Sequence, residues 1–235
     1  MDRVERRERI LEVAGELLLA WGYGRVTIDE IARRAKVGKG TVYLHWKTKD
    51  ALFLAVVLQV QYRSHQQQLD RMRTDPLEIL PSRMLRGLFC DFLDQPVLRA
   101  MYTDDADVLG RLNDTAKREL TELITEGDRM LRHHLEVLRE HGLVRDDLDV
   151  HHQQYALMAM ATGFFTGEAL LAGRGPVAPE VRADILARTV HSALETSPEQ
   201  QAAAAAAAEA APEVIALYER FGELTMGEMR RQVRD

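Results

Sequence analysis

The chain has 235 residues and a formal net charge of −6, and 46% of its residues are hydrophobic. This length suits one or two domains with a substantial core, and its many Leu, Ala, Glu and Arg residues predict a mostly helical protein. The single cysteine, Cys90, excludes an intrachain disulfide framework, and no apolar run approaches the roughly 18 to 20 residues that span a bilayer.

The first predicted elements form a helix-turn-helix. Apolar residues at helical spacing predict a helix over about 4–20, which the sequence WGYG ends. Thr27 and Glu30 make a capping box and open a short second helix, and a third is predicted over 38–46. Only about three residues separate these two short helices, so they must cross at a steep angle, as in a helix-turn-helix.

The remaining chain is also predicted to be helical. Helices are expected over 49–73, 82–94, 97–111, 115–141, 149–172, 179–196 and 213–231. Seven consecutive alanines, 202–208, are either helix or low-complexity linker. We therefore predict an all-α fold with a three-helix helix-turn-helix domain at 1–48 and a helical bundle at 49–235. In this division 49–73 links the two domains, and 197–212 is an Ala-rich segment before an extra C-terminal helix.

Positive charge is concentrated near the N-terminus. Residues 1–50 carry 11 Lys or Arg and 8 Asp or Glu, and within 21–49 the numbers are 7 and 2. A basic patch in an acidic chain fits a nucleic-acid contact at one end, and a solvated basic helix face is the equal alternative. The start, MDRVERRERI, lacks the apolar region of a signal peptide, so we expect a cytoplasmic protein with no membrane partner.

The stretch VGKGTVYLHWKTKD, residues 37–50, has the pattern of a recognition helix. Gly38 and Gly40 leave the helix start open to a phosphate-rich groove, and Lys39 and Thr41 project from the first turn, where such helices contact base edges. Further along the stretch, the side chains expected to contact phosphate are Tyr43, His45, Lys47 and Lys49.

Residues 27–53, TIDEIARRAKVGKGTVYLHWKTKDALF, follow the sequence ILEVAGELLLAWGYGRV, and together they resemble the TetR family of bacterial transcriptional regulators. Trp46 replaces the family's common phenylalanine, and Gly38 stands where serine is frequent. The resemblance implies an all-helical homodimer with an N-terminal DNA-binding domain and a C-terminal ligand-binding and dimerising domain. The residues assigned to DNA binding are Thr27, Lys39, Gly40, Thr41, Tyr43, His45 and Lys49.

Methionine and aromatic residues recur on the helices of the second domain. They are either ordinary core or the lining of a pocket adaptable to a flexible organic ligand, and few buried-looking charges accompany them, which disfavours a highly charged ligand. The candidate ligand-binding residues are Met84, Phe89, Phe92, Met101, Tyr102, Met130, Met158, Thr162 and Phe165. Tyr102 and Thr162 are the expected polar contacts.

Helices 149–172 and 179–196 are the predicted dimer interface, because two helices joined by a short loop can pair with a second copy as a four-helix bundle. The candidate interface residues are Leu157, Ala161, Phe164, Glu168, Ile185, Leu186, Thr189, Val190 and Ala193.

Patterns for metal binding and catalysis are weak. Adjacent histidines at 133–134 and 151–152 point about 100° apart on a helix, so we expect surface histidines rather than a metal site. No glycine-rich phosphate loop follows a strand, and no nucleophile elbow is present. The sequence thus predicts neither an enzyme nor a cofactor.

Together these features predict a ligand-responsive DNA-binding regulator. In the simplest form it is a repressor, released from a pseudo-palindromic operator on double-stranded DNA by a small apolar organic effector. The alternative is a DNA-binding regulator controlled by a protein partner, and the extra C-terminal helix is the feature that favours it.

Overall fold

Helices dominate the computed structural model, which describes residues 3–171, 173–176, 178–197 and 199–233. Within these ranges the chain forms twelve α-helices, one short 3-10 helix at Pro76–Ile79 and one isolated β-bridge between Val144 and Glu195. The predicted all-α fold is confirmed. The predicted last residue of the helix at 149–172, Ala172, lies outside the described residues.

The α-helices differ in length from about one turn to nine turns. In chain order they are α1 (Arg3–Arg25), α2 (Ile28–Arg34), α3 (Lys39–His45), α4 (Lys49–Thr74), α5 (Pro81–Asp94), α6 (Pro96–Tyr102), α7 (Ala106–Leu109), α8 (Leu112–Glu119), α9 (Thr121–Glu140), α10 (Val150–Leu170), α11 (Pro179–Leu194) and α12 (Gln200–Gln232).

The chain divides into two compact units that do not coincide with the boundary expected at 48/49. The first unit comprises Met1–Arg63, Pro96–Ile124 and Glu223–Asp235, and the second comprises Ser64–Gln95 and Thr125–Gly222. The helices α4, α9 and α12 each contribute residues to both units.

The first unit is built around the helix-turn-helix. Ile10, Ala14 and Leu17 of α1 recur at helical spacing and are buried in one core with Val42 and Trp46. The first helices of the chain therefore pack as their apolar periodicity predicts.

Two of the long helices predicted from the sequence are each divided in two. In place of one helix over 97–111, α6 ends at Tyr102 and α7 begins after Asp105, whose carboxylate accepts hydrogen bonds from the backbone amides of Asp107 and Val108 at 2.9 and 3.2 Å. This cap starts a new helix. The predicted helix over 115–141 is likewise replaced by α8 and α9.

The second unit has a core to which the C-terminal helix contributes directly. Ala207, Ala210, Val214 and Tyr218 of α12 are buried there, and the alanine run is helical throughout. Small side chains allow close approach of α12 to its neighbours. The Ala-rich segment is thus helix and not linker, and the predicted helix at 213–231 is the later part of α12. No helix in the described residues has the length and apolarity that crossing a membrane requires.

Candidate nucleic-acid interface and buried aromatic core

The turn that leads to α3 is fixed by local hydrogen bonds. Thr27 is the N-cap of α2, and its hydroxyl accepts from the backbone amide of Glu30 at 3.2 Å. Arg33 and Arg34 donate to the Glu30 carboxylate at 2.6 and 2.8 Å, and these hydrogen bonds lower the pKa of Glu30 to about 2. After α2 the chain turns at Lys36, whose φ is +56°. The capping box read from the sequence therefore has a structural role, and Thr27 uses its hydroxyl within the protein.

The helix α3 has one buried and one exposed side. Val42 and Trp46 are buried in the core of the first unit, whereas Lys39, Gly40 and Tyr43 are exposed. No heavy atom outside the local backbone lies within 4 Å of a Cβ placed on Gly40, so the helix start is open to another molecule. Thr41 is half-buried between the two sides. The exposed side is the one that a DNA groove could meet.

Lys39 is engaged by an acidic neighbour. Its ammonium donates to the Asp29 carboxylate at 2.7 Å, and this bond raises the pKa of Lys39. Both side chains are more than half exposed, and water screens such a pair strongly. A phosphate can therefore replace Asp29 as the partner of Lys39 at small cost.

His45 does not occupy the position expected for a phosphate-binding residue. Its side chain is 4% exposed, beside Trp46 at a ring-centroid distance of 5.4 Å. Burial and then the charges of Arg3, Arg7 and Arg6 lower its pKa. The helical register explains the correction, because residue 45 follows the buried Val42 by three positions and shares its side of α3. We therefore remove His45 from the set of DNA-contacting side chains.

Lys49 connects the start of α4 to the end of α1. Its ammonium donates to the carbonyl oxygen of Tyr23 and lies 4.2 Å from the centroid of the Tyr23 ring. Burial lowers the pKa of Lys49. An ammonium carries three N–H donors, so the bond to Tyr23 leaves capacity for a phosphate. The structure shows a positioning role that the sequence did not predict.

In the second unit, three phenylalanines predicted as ligand contacts form a stacked cluster. The ring centroids of Phe92 and Phe165 are 4.7 Å apart, and that of Phe89 lies 5.7 Å from Phe92 and 5.6 Å from Phe165. All three side chains are buried. Met84 and Met130 belong to the same core, as a buried and a partly buried residue. Five of the nine predicted residues are thus brought together.

The other four residues predicted as ligand contacts lie elsewhere. Met101 packs against the core of the first unit, and Tyr102, also in that unit, is 41% exposed. Met158 is 46% exposed, and Thr162 follows it by four residues on the same exposed side of α10. Met101 and Tyr102 thus belong to a different unit from the stacked cluster, and Met158 and Thr162 lie on the exposed side of α10.

A buried polar group accompanies the aromatic core and was not predicted. His134 is fully buried, and burial lowers its pKa to about 4, so its ring is neutral at pH 7. Its Nε2 lies 2.8 Å from the carbonyl oxygen of Ile79 and therefore carries the hydrogen. Its Nδ1 lies 3.2 Å from the hydroxyl of Tyr218, which also donates to Sδ of Met84 at 2.9 Å. The Tyr218 hydroxyl has a single hydrogen, so it cannot form full hydrogen bonds to both His134 Nδ1 and Met84 Sδ.

The prediction that His134 is a surface histidine was wrong. A signal was present in the sequence, because position 134 is on the same helical stripe as Leu131, Leu135 and Leu138. Across the described part of the chain, His, Cys, Asp and Glu form no group of three that could hold a metal ion.

Comparison with known proteins places the helix-turn-helix region in a family. Residues 10–56 match the family model for bacterial regulatory proteins of the tetR family. A stretch of 50 residues is 42% identical to YhgD of Bacillus subtilis (strain 168), an uncharacterized HTH-type transcriptional regulator; it covers 21% of this chain and 26% of YhgD. The helix-turn-helix region of this chain is therefore similar to that of the TetR family.

The likeness to known regulators extends beyond this region at lower identity. The HTH-type transcriptional repressor BepR of Brucella suis biovar 1 is 25% identical over 168 residues, which cover 69% of this chain and 80% of BepR. A putative transcriptional regulator from Saccharomonospora viridis, solved in complex with choline, has a TM-score of 0.60 at 19% identity, with 83% and 100% of the two chains covered. This second likeness shows the fold alone. In three Bacillus subtilis relatives the match spans only 18 to 26% of their length.

The chain exposes apolar side chains on α10 and α11, and these coincide only in part with the predicted interface residues. Leu157, Leu186 and Val190 are buried in the core of their own unit and cannot meet a second copy. The exposed apolar side chains are instead Tyr155 and Met158 of α10 and Val181 and Ile185 of α11. Because successive helical residues differ by about 100°, a shift of one residue moves the face from Leu157 to Met158.

The remaining predicted interface residues divide between the core and the surface. Ala161 and Phe164 are partly buried against the core of the second unit, and Glu168 forms an ion pair with Arg182 at 3.2 Å, which ties α10 to α11. Thr189 and Ala193 are exposed. We define the exposed α10–α11 face as Tyr155, Met158, Thr162, Val181, Ile185 and Thr189.

Proposed function

We propose that this protein is a transcriptional regulator that binds double-stranded operator DNA with α3 in the major groove. The observation that carries the proposal is the two-sided α3: Val42 and Trp46 fix it on the core, while Lys39, Gly40 and Tyr43 are exposed at its start and middle. A helix held in this way presents its first turn to base edges. The family match over residues 10–56 supports the same role.

A dimer would supply two copies of α3 to one operator. The exposed α10–α11 face is apolar and is carried by two helices joined by a short loop, which suits pairing with a second copy as a four-helix bundle. Two-fold symmetry of the protein then requires a pseudo-palindromic operator with half-sites about one helical turn apart.

An organic effector bound in the core of the second unit would complete the regulator. Phe89, Phe92 and Phe165 form a buried apolar aromatic cluster. The polar contact would come from His134, because the Tyr218 hydroxyl hydrogen faces both His134 Nδ1 and Met84 Sδ and can serve only one of them fully. This contact takes the role first expected of Tyr102 and Thr162. The relative BepR is named a repressor, and we propose repression with release by a small, largely apolar molecule.

The release mechanism requires the effector to prefer the dimer that does not bind DNA. By reciprocity, DNA must then weaken effector binding by the same factor, typically about 5- to 150-fold. The helix α4 contributes residues to both units and is the natural path for this coupling. The protein-partner alternative loses its main support, because α12 is built into the cores of the units rather than being an unattached helix.

Selection of duplexes from a random library tests DNA binding. The double variant Lys39→Ala/Tyr43→Ala should lose most of its affinity for the selected duplex, since a lost base contact costs about 1 to 3 kcal/mol. The matched control Lys117→Ala/Tyr102→Ala removes the same residue types from exposed positions outside α3 and should bind as wild type. Equal affinity of the α3 variant and wild type would mean that α3 is not the recognition helix.

Titration of the protein–duplex complex with a library of small aromatic and aliphatic compounds tests the effector site. Compounds that release DNA from wild type should act more weakly on Tyr218→Phe, which lacks the hydroxyl that faces His134. Tyr155→Phe, on an exposed tyrosine, is the control. Equal release from wild type and Tyr218→Phe by every active compound would place the effector elsewhere.

A further inference from the structure

A second basic surface lies on the first two turns of α1. Arg3, Arg6 and Arg7 are spaced by three and four residues, which places them on one side of the helix. The same spacing continues to Ile10 and Ala14, both buried in the core of the first unit. The buried stripe of α1 therefore becomes basic where the helix extends beyond the core.

The opposite side of the same turns is acidic. Glu5, Glu8 and Glu12 are exposed and follow one another at spacings of three and four residues, and Arg9 lies on their side of α1. Apart from Arg9, the charges in these turns are thus sorted by sign. Positive charge collects on the side that continues the buried stripe.

His45 shows where these arginines lie relative to the recognition helix. It is the last residue of α3, and the charges of Arg3, Arg7 and Arg6 act on it, after burial, to lower its pKa. Such an effect requires proximity, because charge interactions fade over about 8 to 10 Å in salt solution. The three guanidinium groups therefore lie near the C-terminal end of α3, while Lys39 occupies the N-terminal end.

The size of α3 makes this location relevant to DNA. A helix of seven residues is about 10 Å long, whereas one turn of duplex DNA is about 34 Å. A groove that holds α3 thus presents backbone phosphates beyond both of its ends. Arginine suits such phosphates because its planar guanidinium can donate two hydrogen bonds to one phosphate group.

We propose that Arg3, Arg6 and Arg7 form a second DNA-contact site that binds backbone phosphates beside the half-site occupied by α3. This inference rests on the proposed DNA-binding function. Phosphates are the same at every base pair, so the site adds affinity and salt dependence without base preference. It extends the contact surface from the helix-turn-helix to the start of α1.

The salt dependence of binding tests the proposal. Wild type and the triple variant Arg3→Gln/Arg6→Gln/Arg7→Gln are titrated onto the duplex selected by wild type, between about 50 and 200 mM KCl. The slope of log K against log[KCl] should fall by about 2 to 3 per protomer in the triple variant. The relative affinities for duplexes with single base-pair changes should stay as in wild type. Arg9→Gln, on the acidic side of α1, should keep the wild-type slope.

A second variant separates charge from folding. The triple change to lysine keeps three positive charges and should retain most of the slope, with some loss of affinity because lysine cannot bind phosphate through a fork. A glutamine variant with the wild-type slope overturns the proposal, and so does a lysine variant that loses the slope as fully as glutamine. If wild type selects no duplex, the proposed function fails and this inference with it. If wild type binds and the slopes agree, only this inference fails.

Discussion

At position 22 in the first unit, the backbone conformation requires a glycine. Gly22 interrupts α1 with φ of +72°, a conformation that L side chains rarely adopt. A Cβ at this position would overlap the carbonyl oxygen of Asp107 in α7. The sequence WGYG was recognised as a helix end, but the tight backbone approach of a segment more than eighty residues away has no local signal.

Gly22→Ala should therefore be strongly destabilising. The left-handed conformation costs a non-glycine residue roughly 1 to 2 kcal/mol, and the overlap with Asp107 adds to this because backbone must move. Gly24→Ala is the matched control, since its Cβ would meet no atom within 4 Å. Urea unfolding should show a loss of more than about 2 kcal/mol for Gly22→Ala and a small change for Gly24→Ala. Similar midpoints for both variants would contradict the structure of this turn.

The buried His134 predicts a specific pH dependence of stability. Its folded pKa, about 4, is below the ordinary value of about 6.5, so the unfolded chain binds this proton first as pH falls. The stability that neutral His134 provides is complete above pH about 6.5 and is lost towards pH 4. Between pH 7 and pH 5 wild type should lose about 2 kcal/mol from this group.

The measurement compares the free energy of unfolding at these two pH values in two variants. His134→Gln lacks this titration, so its loss between pH 7 and pH 5 should be smaller than that of wild type. His133→Gln changes the exposed neighbour and should follow wild type. Parallel curves for wild type and His134→Gln would show that His134 does not titrate as a buried neutral ring.

At the scale of elements, the sequence predicted the existence of helices better than their ends and faces. The bounds expected for the second, third and fourth helices agree with α2, α3 and α4, because caps and breakers there are local. The divisions within 97–111 and 115–141 were missed, since Asp105 is a cap only once α7 has turned away from α6. The face of α10 was placed one residue out of register, because Leu157 and Met158 are equally apolar and only packing distinguishes them.

The helices α4 and α5 are joined by hydrogen bonds between buried or half-buried polar side chains. Arg71 donates to both oxygens of Asp91, at 3.3 and 3.1 Å, and Ser64 donates to the same carboxylate at 3.0 Å. Gly87 lies against the guanidinium, and a Cβ there would lie 2.9 Å from it. Because the Asp91 side chain is only 12% exposed, Asp91→Asn should cost about 1 to 3 kcal/mol.

A double-mutant cycle isolates this contact. Arg71→Met and Asp91→Asn should combine with a coupling energy of about 0.5 to 3 kcal/mol in urea unfolding. The exposed pair Arg73 and Glu219, at 2.6 Å, is the control and should couple more weakly because water screens it. Additive effects of Arg71→Met and Asp91→Asn would mean that the contact between these two side chains does not hold α4 to α5.

The whole molecule raises the question of what covers the exposed α10–α11 face. Tyr155 is 75% exposed and Ile185 42% exposed, and exposed apolar side chains on two consecutive helices suit an interface. Thr162 and Gly163 leave room for the backbone of a facing helix. The similarity of the fold to solved regulator structures does not decide the question, since a similar fold does not establish an interface.

A charged residue on this face should separate the two copies. Met158→Glu and Ile185→Glu should sediment as monomers at micromolar concentration, where wild type should show about twice the chain mass, because an unpaired charge is costly in an apolar interface. Ile124→Glu, on an exposed isoleucine of the first unit, is the control and should remain dimeric. The monomeric variants keep α3 intact, so they should still bind a single half-site weakly but lose the gain from joining two half-sites. A wild-type protein that sediments as a monomer would contradict both the interface and the two-half-site operator.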